Sequence, residues 1–413
     1  MTTRVSVPSR NLARPVSDPV ASRLMSLDVL RGLAVAGMIL VTDPGTYSAV
    51  YRPLLHSQWN GVTPTDMIFP AFLFAVGIAI TLSFSTRIRR GYSKARMAWH
   101  VLVRSVALFL IGLAINGFPD YNLHTIRIPG VLQRISLCYL CGSFLYLGIL
   151  RVFGDELALS KPQAAIRRIA ILGGTIIFFL AGYWFLLESV PVPGFGPGRL
   201  DSLGNLGAYL DRSIFGVRHL WAYGTTPGQG VTFDPEGLLS TIPAIATLLI
   251  GILTAEWLRT EHSPRRKALT FAGVGLGLAI TGYLLHPLLP INKKLWTSTF
   301  ALFSGGINLI SFSFLYWILD INRWRRWAIP ALVFGTNAIL GFVLSSVITT
   351  LTDTIHVTPE GGSAITFHTF VYRYGFAAWL QPVHASLAYA IAIVILNLAL
   401  IYPLYRRRIF LRL

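Results

Sequence analysis

The sequence predicts an all-α, polytopic integral membrane protein with about ten transmembrane helices. Hydrophobic residues make up 54% of the 413 residues and charged residues only 13%. The mean hydropathy is +0.60, which water-soluble domains of this length do not normally show. The apolar runs are about 20 residues long, enough to cross a hydrocarbon core of about 30 Å. They are continuously apolar rather than alternating, so they indicate helices and not barrel strands.

Ten candidate spans follow one another along the chain. They lie at 24–43, 65–86, 97–117, 128–150, 169–190, 237–258, 268–289, 296–320, 329–350 and 384–404. Residues 1–23 contain four arginines and three prolines but no apolar run, so they do not resemble a cleavable signal peptide. We therefore expect a disordered basic cytoplasmic tail over 1–23, followed by one transmembrane, acyltransferase-like domain over 24–413.

The distribution of positive charge predicts the orientation. Of the 35 Lys and Arg residues, 24 lie in the two tails and in the connections after the second, fourth, sixth and eighth spans. Eight lie in the other connections, and Arg31, Arg104 and Arg134 fall inside spans. By the positive-inside rule, both termini are cytoplasmic. The long polar loops 44–64, 191–236 and 351–383 are then on the outer face, where a functional site is expected.

Several classes of function are excluded by the sequence. The net charge of +18 is explained by topology, so nucleic acid is not expected as a partner. No His, Cys and Asp cluster has metal-ligand spacing, and no Walker, dinucleotide-binding or nucleophile-elbow pattern is present. Cys138 and Cys141 lie inside an apolar run, so they are expected to pack as small hydrophobic residues. The sequence predicts neither a metal nor a redox centre.

His56 and Asp66 are the leading candidates for chemistry. His56 lies in the first long loop, ten residues before Asp66, which begins the second span. A histidine can take a proton from an amine or hydroxyl, and a carboxylate on its other ring nitrogen would orient it. The alternative is a headgroup-level histidine, with Asp66 as an ordinary N-terminal helix charge.

Basic residues within or beside the spans suggest anion binding. Arg31 can pair with Asp28, three residues earlier, and Arg31 and Arg104 either extend to the headgroups or receive an anionic ligand from the cytosol. The remaining basic residues near the outer face are Arg127, Arg134, Lys293 and Lys294. Together they clamp phosphates, or they pair with acidic loop residues such as Asp234 and Glu236.

Seven separated motifs give the chain a family resemblance. They are SLDVLRG at 26–32, LLHSQWNGVTPTDMIFPAFLF at 54–74, RIPGVLQR at 127–134, VPVPGFGPG at 190–198, FDPEGLLSTIP at 233–243, INKKLW at 291–296 and YRRRIF at 405–410. In this order they resemble the heparan-α-glucosaminide N-acetyltransferase family, and its bacterial membrane acyltransferase members in particular.

The resemblance implies an activity and a site. The family moves acetyl from cytosolic acetyl-CoA, as a co-substrate, to the amine of a glucosamine across the membrane. Its active histidine lies in an H-x-x-W-N-G motif, which is His56 to Gly61 here, and Asp66 falls at its acidic position. The acceptor sugar is then expected at Asp43, Trp59, Asn60, Glu236 and Trp296, and acetyl-CoA at Arg31, Arg104, Arg127, Arg134, Lys293 and Lys294. The chain departs from the family at Thr42–Asp43, where the family has asparagine.

Other functions stay open at this point. Similar bacterial chains are labelled N-acetylglucosamine-associated transporters, and intramembrane Asn308, Asn337 and Arg residues are compatible with transport. A non-catalytic subunit of a system that modifies envelope polysaccharides is a third alternative. Membrane lipid is an expected partner, an amino sugar the expected substrate, and a homo-oligomer is left open. The expected location is the bacterial cytoplasmic (inner) membrane.

Overall fold

A computed structural model describes residues 24–153, 162–360 and 362–410, and the predicted tail 1–23 lies outside these ranges. Most of the described residues are helical, and the strands are few and short. Its helices are α1 Met25–Thr42, α2 Ile68–Arg89, α3 Lys94–Gly117, α4 Val131–Phe153, α5 Pro162–Ser189, α6 Leu206–Phe215, α7 Thr241–Leu258, α8 Pro264–Leu284, α9 Ser298–Tyr316, α10 Ile329–Thr336, α11 Ala338–Thr354, α12 Phe367–Phe370 and α13 Pro382–Arg406. The predicted all-α fold class is confirmed.

Two short antiparallel hairpins interrupt the loops. Strand β1, Thr225–Thr226, pairs with β2, Gly230–Val231. Strand β3, His356–Val357, pairs with β4, Ile365–Thr366. Each strand has two residues, so the hairpins fold the loops but add no sheet to the architecture.

Nine helices in the described ranges are long and apolar enough to cross a membrane: α1 to α5, α7 to α9 and α13, with short flanking turns included for α2 and α9. The stretch that includes α10 and α11 is long and apolar enough to be a tenth span if it is counted as one, but it is bent by 76°. The predicted span 329–350 is therefore a broken helix rather than a continuous one. The break is at Asn337, whose backbone leaves the helical region with φ −129° and ψ 45°.

The break allows α10 to pack directly against α1. A Cβ atom at Gly32 would lie 1.7 Å from the carbonyl oxygen of Ala331, and one at Gly335 would lie 1.8 Å from that of Asp28. Only glycine permits backbones to approach so closely, as is common between transmembrane helices.

The centre of the bundle is formed by α2 and α7, the most buried of the spans. These helices also meet through glycine, since Cβ atoms at Gly77 and Gly251 would lie 2.0 Å and 2.1 Å from the carbonyl oxygens of Leu248 and Phe74. By contrast, α3 and α5 are largely exposed and present apolar side chains such as Leu110 and Phe178. Those faces suit contact with lipid.

The connections that carry His56 meet at one end of the bundle, called here the His56 end. It consists of 43–67, 118–130, 190–240, 285–297 and 355–381. Backbone or side-chain hydrogen bonds join these connections to one another or to the start of α13: Gly61 to Ile291, Trp59 to Leu200, Ile128 to His219 and Gly45 to Ser386.

Candidate active site

His56 and Asp66 are brought together by local folding of the loop between α1 and α2. His56 follows a helical turn at Arg52–Leu54, and Asp66 lies in a second turn, Pro64–Met67, that leads into α2. The Thr63 hydroxyl donates to the carbonyl of Leu55 at 2.7 Å, and the Thr65 hydroxyl donates to that of Pro53 at 3.0 Å. These bonds fold the loop back on itself, so the two turns lie side by side.

The pair has the geometry of an oriented histidine. Nδ1 of His56 lies 2.7 Å from Oδ1 of Asp66. The Asp66 side chain is fully buried, whereas that of His56 is 46% exposed. Oδ2 of Asp66 accepts from the backbone N–H groups of Ser57 and Thr63 and from the Thr63 hydroxyl. Because these donors fix Asp66 as an acceptor, His56 donates through Nδ1 and Nε2 carries the lone pair.

The residues after His56 are fixed by two other loops. The Trp59 indole N–H donates to the carbonyl of Leu200 at 2.8 Å, and its ring packs edge-on against Phe233 with centroids 5.0 Å apart. Oδ1 of Asn60 accepts from Nδ2 of Asn292 at 3.1 Å. The predicted sugar-binding residues Trp59 and Asn60 therefore also anchor the His56 loop.

A buried ionic cluster surrounds Arg127. Its Nε and Nη2 donate to both oxygens of Asp234 at 2.9 and 2.6 Å, and Nη2 also donates to Oε2 of Glu236 at 2.6 Å. Nζ of Lys293 lies 3.5 Å from Oε1 of Glu236. Of the two arrangements open from the sequence, the structure has the one in which Arg127 and Lys293 pair with acidic loop residues.

Electrostatics in this cluster favour the ionised forms. Burial alone would raise the pKa of Glu236, but Lys293 and Arg127 bring it well below its ordinary value of 4.5. Burial likewise opposes the charge on Arg127, but Asp234 and Glu236 outweigh it and raise the Arg127 pKa. The cluster is thus a set of mutually neutralising buried charges.

Arg134 and Trp296 form a second buried pair beside the cluster. Nη2 of Arg134 donates to the carbonyl of Gly237 at 2.9 Å and to the Ser240 hydroxyl. The guanidinium lies 5.3 Å from the centroid of the Trp296 ring. Trp296 is fully buried and packs edge-on against Phe69 of α2. Arg134 is therefore stabilised by a ring face as well as by hydrogen bonds.

Lys294 lies close to the His56 loop. Its Nζ donates to the carbonyl of Gln58 at 2.6 Å and lies 5.8 Å and 5.6 Å from the centroids of the Trp59 and Phe233 rings. Burial, and then the neighbouring charge of Lys293, lower the pKa of Lys294.

Three predicted site residues have their hydrogen bonds or ring contacts elsewhere. Asp43 accepts from the hydroxyls of Ser345 and Thr349 on α11 at 2.9 and 2.5 Å. Arg31 donates to Asp28 and to the carbonyl of Gly335, and Arg104 lies 4.7 Å from the centroid of the Tyr139 ring. At 1.5 Å per residue, Arg31 and Arg104 are more than about 15 Å along their helices from the His56 end.

Sequence reasoning missed some residues that organise this site. Asn292 is one of them, although it lies inside the INKKLW motif. The T-x-x-D spacing of Thr63 and Asp66 is a helix-start signal that would have placed both side chains together. No sequence pattern indicated the buried set near the opposite end of the bundle, where Glu256 contacts Tyr146, Arg168 and Arg259.

Within the part of the chain that the structure describes, no three His, Cys, Asp or Glu side chains are grouped so that they could hold a metal ion. The chemistry that the described residues offer is that of an oriented imidazole. Nε2 of His56 can accept a proton or attack an acyl carbon.

Comparisons with known proteins agree on one family. The family model described as heparan-alpha-glucosaminide N-acetyltransferase, catalytic, matches residues 23–289. The heparan-alpha-glucosaminide N-acetyltransferase of Mus musculus is 31% identical over 358 residues, covering 78% of this chain and 53% of that protein. The protein of the same name from Homo sapiens is 30% identical over 352 residues, covering 78% and 52%. The chain thus spans about half the length of these relatives.

Proposed function

The chain belongs to the heparan-alpha-glucosaminide N-acetyltransferase family, and we propose that it is a membrane N-acetyltransferase that acts on amino sugars. The donor is acetyl-CoA, and the acceptor is the amine of a glucosamine-type sugar. The observation that carries this proposal is the 2.7 Å bond between His56 and a fully buried Asp66, with half of the imidazole still accessible.

The orientation follows from the charge distribution. Positive residues concentrate at the end of the bundle opposite His56, so we place that end and both termini in the cytoplasm. The His56 end then faces outward, and acetyl crosses the membrane during the reaction. The proposed location is a bacterial cytoplasmic membrane, and the resemblance of the sequence motifs to bacterial members of the family supports it.

Two chemical routes use the same atoms. In the first, Nε2 of His56 removes a proton from the sugar amine as the nitrogen attacks the thioester carbon. The C–S bond breaks, and the imidazolium returns the proton to the CoA thiolate. In the second, Nε2 attacks the thioester and releases CoA. The amine then attacks the acetyl-imidazolium, the bond between Nε2 and the acetyl carbon breaks as the amide forms, and the amine proton passes to the CoA thiolate, which leaves a neutral histidine. Asp66 stabilises the imidazolium in both routes.

The donor is proposed to approach from the cytoplasmic end. Arg31 and Arg104 lie on that side and would meet its phosphates, while the pantetheine arm extends toward His56. Arg134 lies farther along this direction, whereas Nζ of Lys294 is taken by the carbonyl of Gln58, so a phosphate role for Lys294 is not part of this proposal. Arg127 and Lys293 would bind phosphate only by giving up Asp234 and Glu236, so a phosphate role for them requires the ionic cluster to open.

The acceptor is proposed to bind among the outer loops. An amino sugar offers hydroxyl and ammonium donors and an apolar ring face. Trp59 is partly accessible beside His56. Asp66 is fully buried with both oxygens occupied, so it acts through His56, and Glu236 would accept from the sugar only if the ionic cluster opened. Trp296 is fully buried, so it supports the site through Phe69 rather than by direct stacking on a sugar in this conformation.

The test is acetyl transfer by purified full-length protein from labelled acetyl-CoA to a panel of amino sugars. His56→Ala should abolish labelled product, whereas His124→Ala, on an exposed loop residue of the same end, should retain it. If the wild-type protein labels no amino sugar, or if His56→Ala retains full rate, the proposal is wrong.

A second measurement separates the two routes. Label exchange between acetyl-CoA and unlabelled CoA, without sugar, requires an acetyl-enzyme and supports acetyl-His56. Its absence in an enzyme that still acetylates sugar supports direct transfer with His56 as base.

Transport of an intact amino sugar is a second candidate because of the broken helix at Asn337. Transporter sites commonly lie between two interrupted helices at corresponding positions. The described residues contain one interrupted helix of this kind, the bent pair of α10 and α11, rather than two. Uptake of labelled N-acetylglucosamine into liposomes without CoA would favour transport.

A further inference from the structure

The segment 291–297, called here the strap, connects α8 to α9 at the His56 end. Its sequence is INKKLWT, and it begins two residues after the family-model match ends. The strap contacts the His56 loop, the long loop 190–240 and several spans. Its side chains are mostly buried, and Lys294 is the residue that lies nearest the surface.

Three contacts join the strap to the residues that follow His56. The N–H of Gly61 donates to the carbonyl of Ile291 at 2.7 Å. Nδ2 of Asn292 donates to Asn60, and Nζ of Lys294 donates to the carbonyl of Gln58 at 2.6 Å. These bonds hold three of the five residues at 57–61, so the strap fixes the path by which the chain leaves His56.

The strap is itself rigidly held. Oδ1 of Asn292 accepts from the N–H of Leu295 at 2.9 Å, and the N–H of Asn292 donates to the Thr297 hydroxyl at 3.0 Å. The carbonyl of Leu295 accepts from the hydroxyl of Tyr183 on α5 at 2.6 Å. A completely buried Asn292 therefore links the internal turn of the strap to the His56 loop.

Trp296 anchors the strap in the core of the bundle. Its backbone has φ +50°, a left-handed conformation that is unfavourable for a bulky residue and persists only where the surroundings impose it. Here the indole N–H donates to Thr247 of α7 at 3.2 Å, and the ring packs against Phe69 and Phe300. The left-handed turn directs the ring inward, while Lys294 contacts the His56 loop and Lys293 contacts Glu236.

We propose that the strap positions His56 for acetyl transfer and that Asn292 and Lys294 are positioning residues. They act through Asn60 and Gln58 and do not touch the reacting atoms. This inference rests on the proposed function for its kinetic consequence, whereas the ordering of the loop can be measured without any activity.

The exposure of His56 explains why positioning is needed. Asp66 holds one edge of the imidazole, but nearly half of the side chain is exposed. The direction in which Nε2 points therefore also depends on the backbone at 56–61. A displacement of about 1 Å at a reacting group can cost about a hundredfold in rate, so a loosened loop should lower kcat before it affects binding.

The test compares Asn292→Ala and Lys294→Met with the wild-type protein. The matched control is Lys94→Met, because Nζ of Lys94 also donates to a backbone carbonyl, that of Leu150, at the opposite end. Lys294→Arg keeps a donor and serves as the rescue variant. We expect kcat to fall about 10- to 100-fold in the two strap variants, with each KM within about twofold of wild type. The Lys94→Met protein should be unchanged, and Lys294→Arg should recover most of the rate.

Hydrogen exchange of peptides covering residues 57–62 provides the independent readout. Exchange should accelerate in Asn292→Ala and Lys294→Met while the core helices α2 and α7 stay protected. Unchanged exchange in both variants would overturn the strap's ordering role. Faster exchange with unchanged kcat, or a loss confined to KM, would overturn its role in positioning His56. If wild-type protein transfers no acetyl, the proposed function fails, and exchange alone decides whether the strap orders the loop.

Discussion

Replacing Glu236 by Gln removes one negative charge from the ionic cluster and leaves a side chain of nearly the same shape. In the native protein, Oε2 of Glu236 accepts from Arg127 and Oε1 faces Lys293. The variant leaves Arg127 with its bidentate partner Asp234 but leaves Lys293 beside a neutral amide. The prediction is a large loss of stability, since a buried positive charge loses its counter-ion.

The distances give the size of the effect. Two unit charges 3.5 Å apart, the separation of Lys293 and Glu236, interact by about 5 kcal/mol at an effective dielectric constant of about 20. Breaking one partner of a buried pair typically costs about 3–5 kcal/mol. We therefore expect Glu236→Gln to lower the free energy of unfolding by about 3–5 kcal/mol and the Tm by about 3–6 °C.

Thermal unfolding of the detergent-solubilised protein measures this loss. Arg199→Gln is the control, because Arg199 and Asp201 form an ion pair at 2.7 Å but are about half exposed, and such pairs contribute about 0–1 kcal/mol. If Glu236→Gln and Arg199→Gln shift the Tm equally, the buried cluster does not stabilise the fold. A lower KM for acetyl-CoA in Glu236→Gln would instead indicate that Arg127 and Lys293 bind the phosphates of acetyl-CoA once Glu236 no longer pairs with them.

The same carboxylate predicts a dependence on pH. Burial of Glu236 raises its pKa in the folded protein, but the positive charges of Lys293 and Arg127 outweigh burial, so the net pKa is lowered. The contribution of Glu236 to stability is therefore fully present above its ordinary pKa of 4.5 and is lost as the pH falls below that value. The difference in Tm between wild type and Glu236→Gln should be large at pH 7 and should shrink below about pH 4.

Three further outcomes are expected. Asp66→Asn should lower kcat by about 10²–10⁴-fold in the acetyl-transfer assay, because an amide cannot stabilise the imidazolium. Gly251→Ala should lower the Tm by the equivalent of about 1–3 kcal/mol, since its Cβ would lie 2.1 Å from the Phe74 carbonyl; Gly173→Ala, with open space around it, should not. Asp43→Asn should leave the ratio of rates with two amino-sugar acceptors unchanged, because its hydroxyl partners lie on α11.

Much of the bundle could be predicted because one physical requirement dominates in a membrane. Backbone groups must be satisfied within each apolar segment, so a run of about 20 apolar residues is a helix wherever it packs. The break at Asn337 escaped this reasoning because hydropathy averages Gly335, Thr336 and Asn337 with the apolar residues on both sides. The break lies beside the close contact of Gly335 with Asp28 of α1, just over 300 residues away in the sequence, and hydropathy contains no such information.

The candidate site also has a part that the sequence could predict and a part that it could not. His56 and Asp66 are ten residues apart, so loop chemistry and helix-start signals bring them together locally. For Arg127 and Lys293 the sequence left two possibilities, binding of phosphate or pairing with acidic loop residues. It could not decide between them because Asp234 and Glu236 are more than 50 residues away from either basic residue. Asn292 and the left-handed Trp296 depend on tertiary packing and have no local signature.

The broken helix also constrains how the protein is assembled in the membrane. Helix α10 has eight residues, about 12 Å of rise, which is less than half of a hydrocarbon core. The carbonyl of Gly335 at its end accepts from Nε of Arg31, and Nδ2 of Asn337 donates to the carbonyl of Ile409. These two partners come from opposite ends of the chain. The polar groups at the break are therefore paired only when both α1 and the segment at residue 409 have packed against α10.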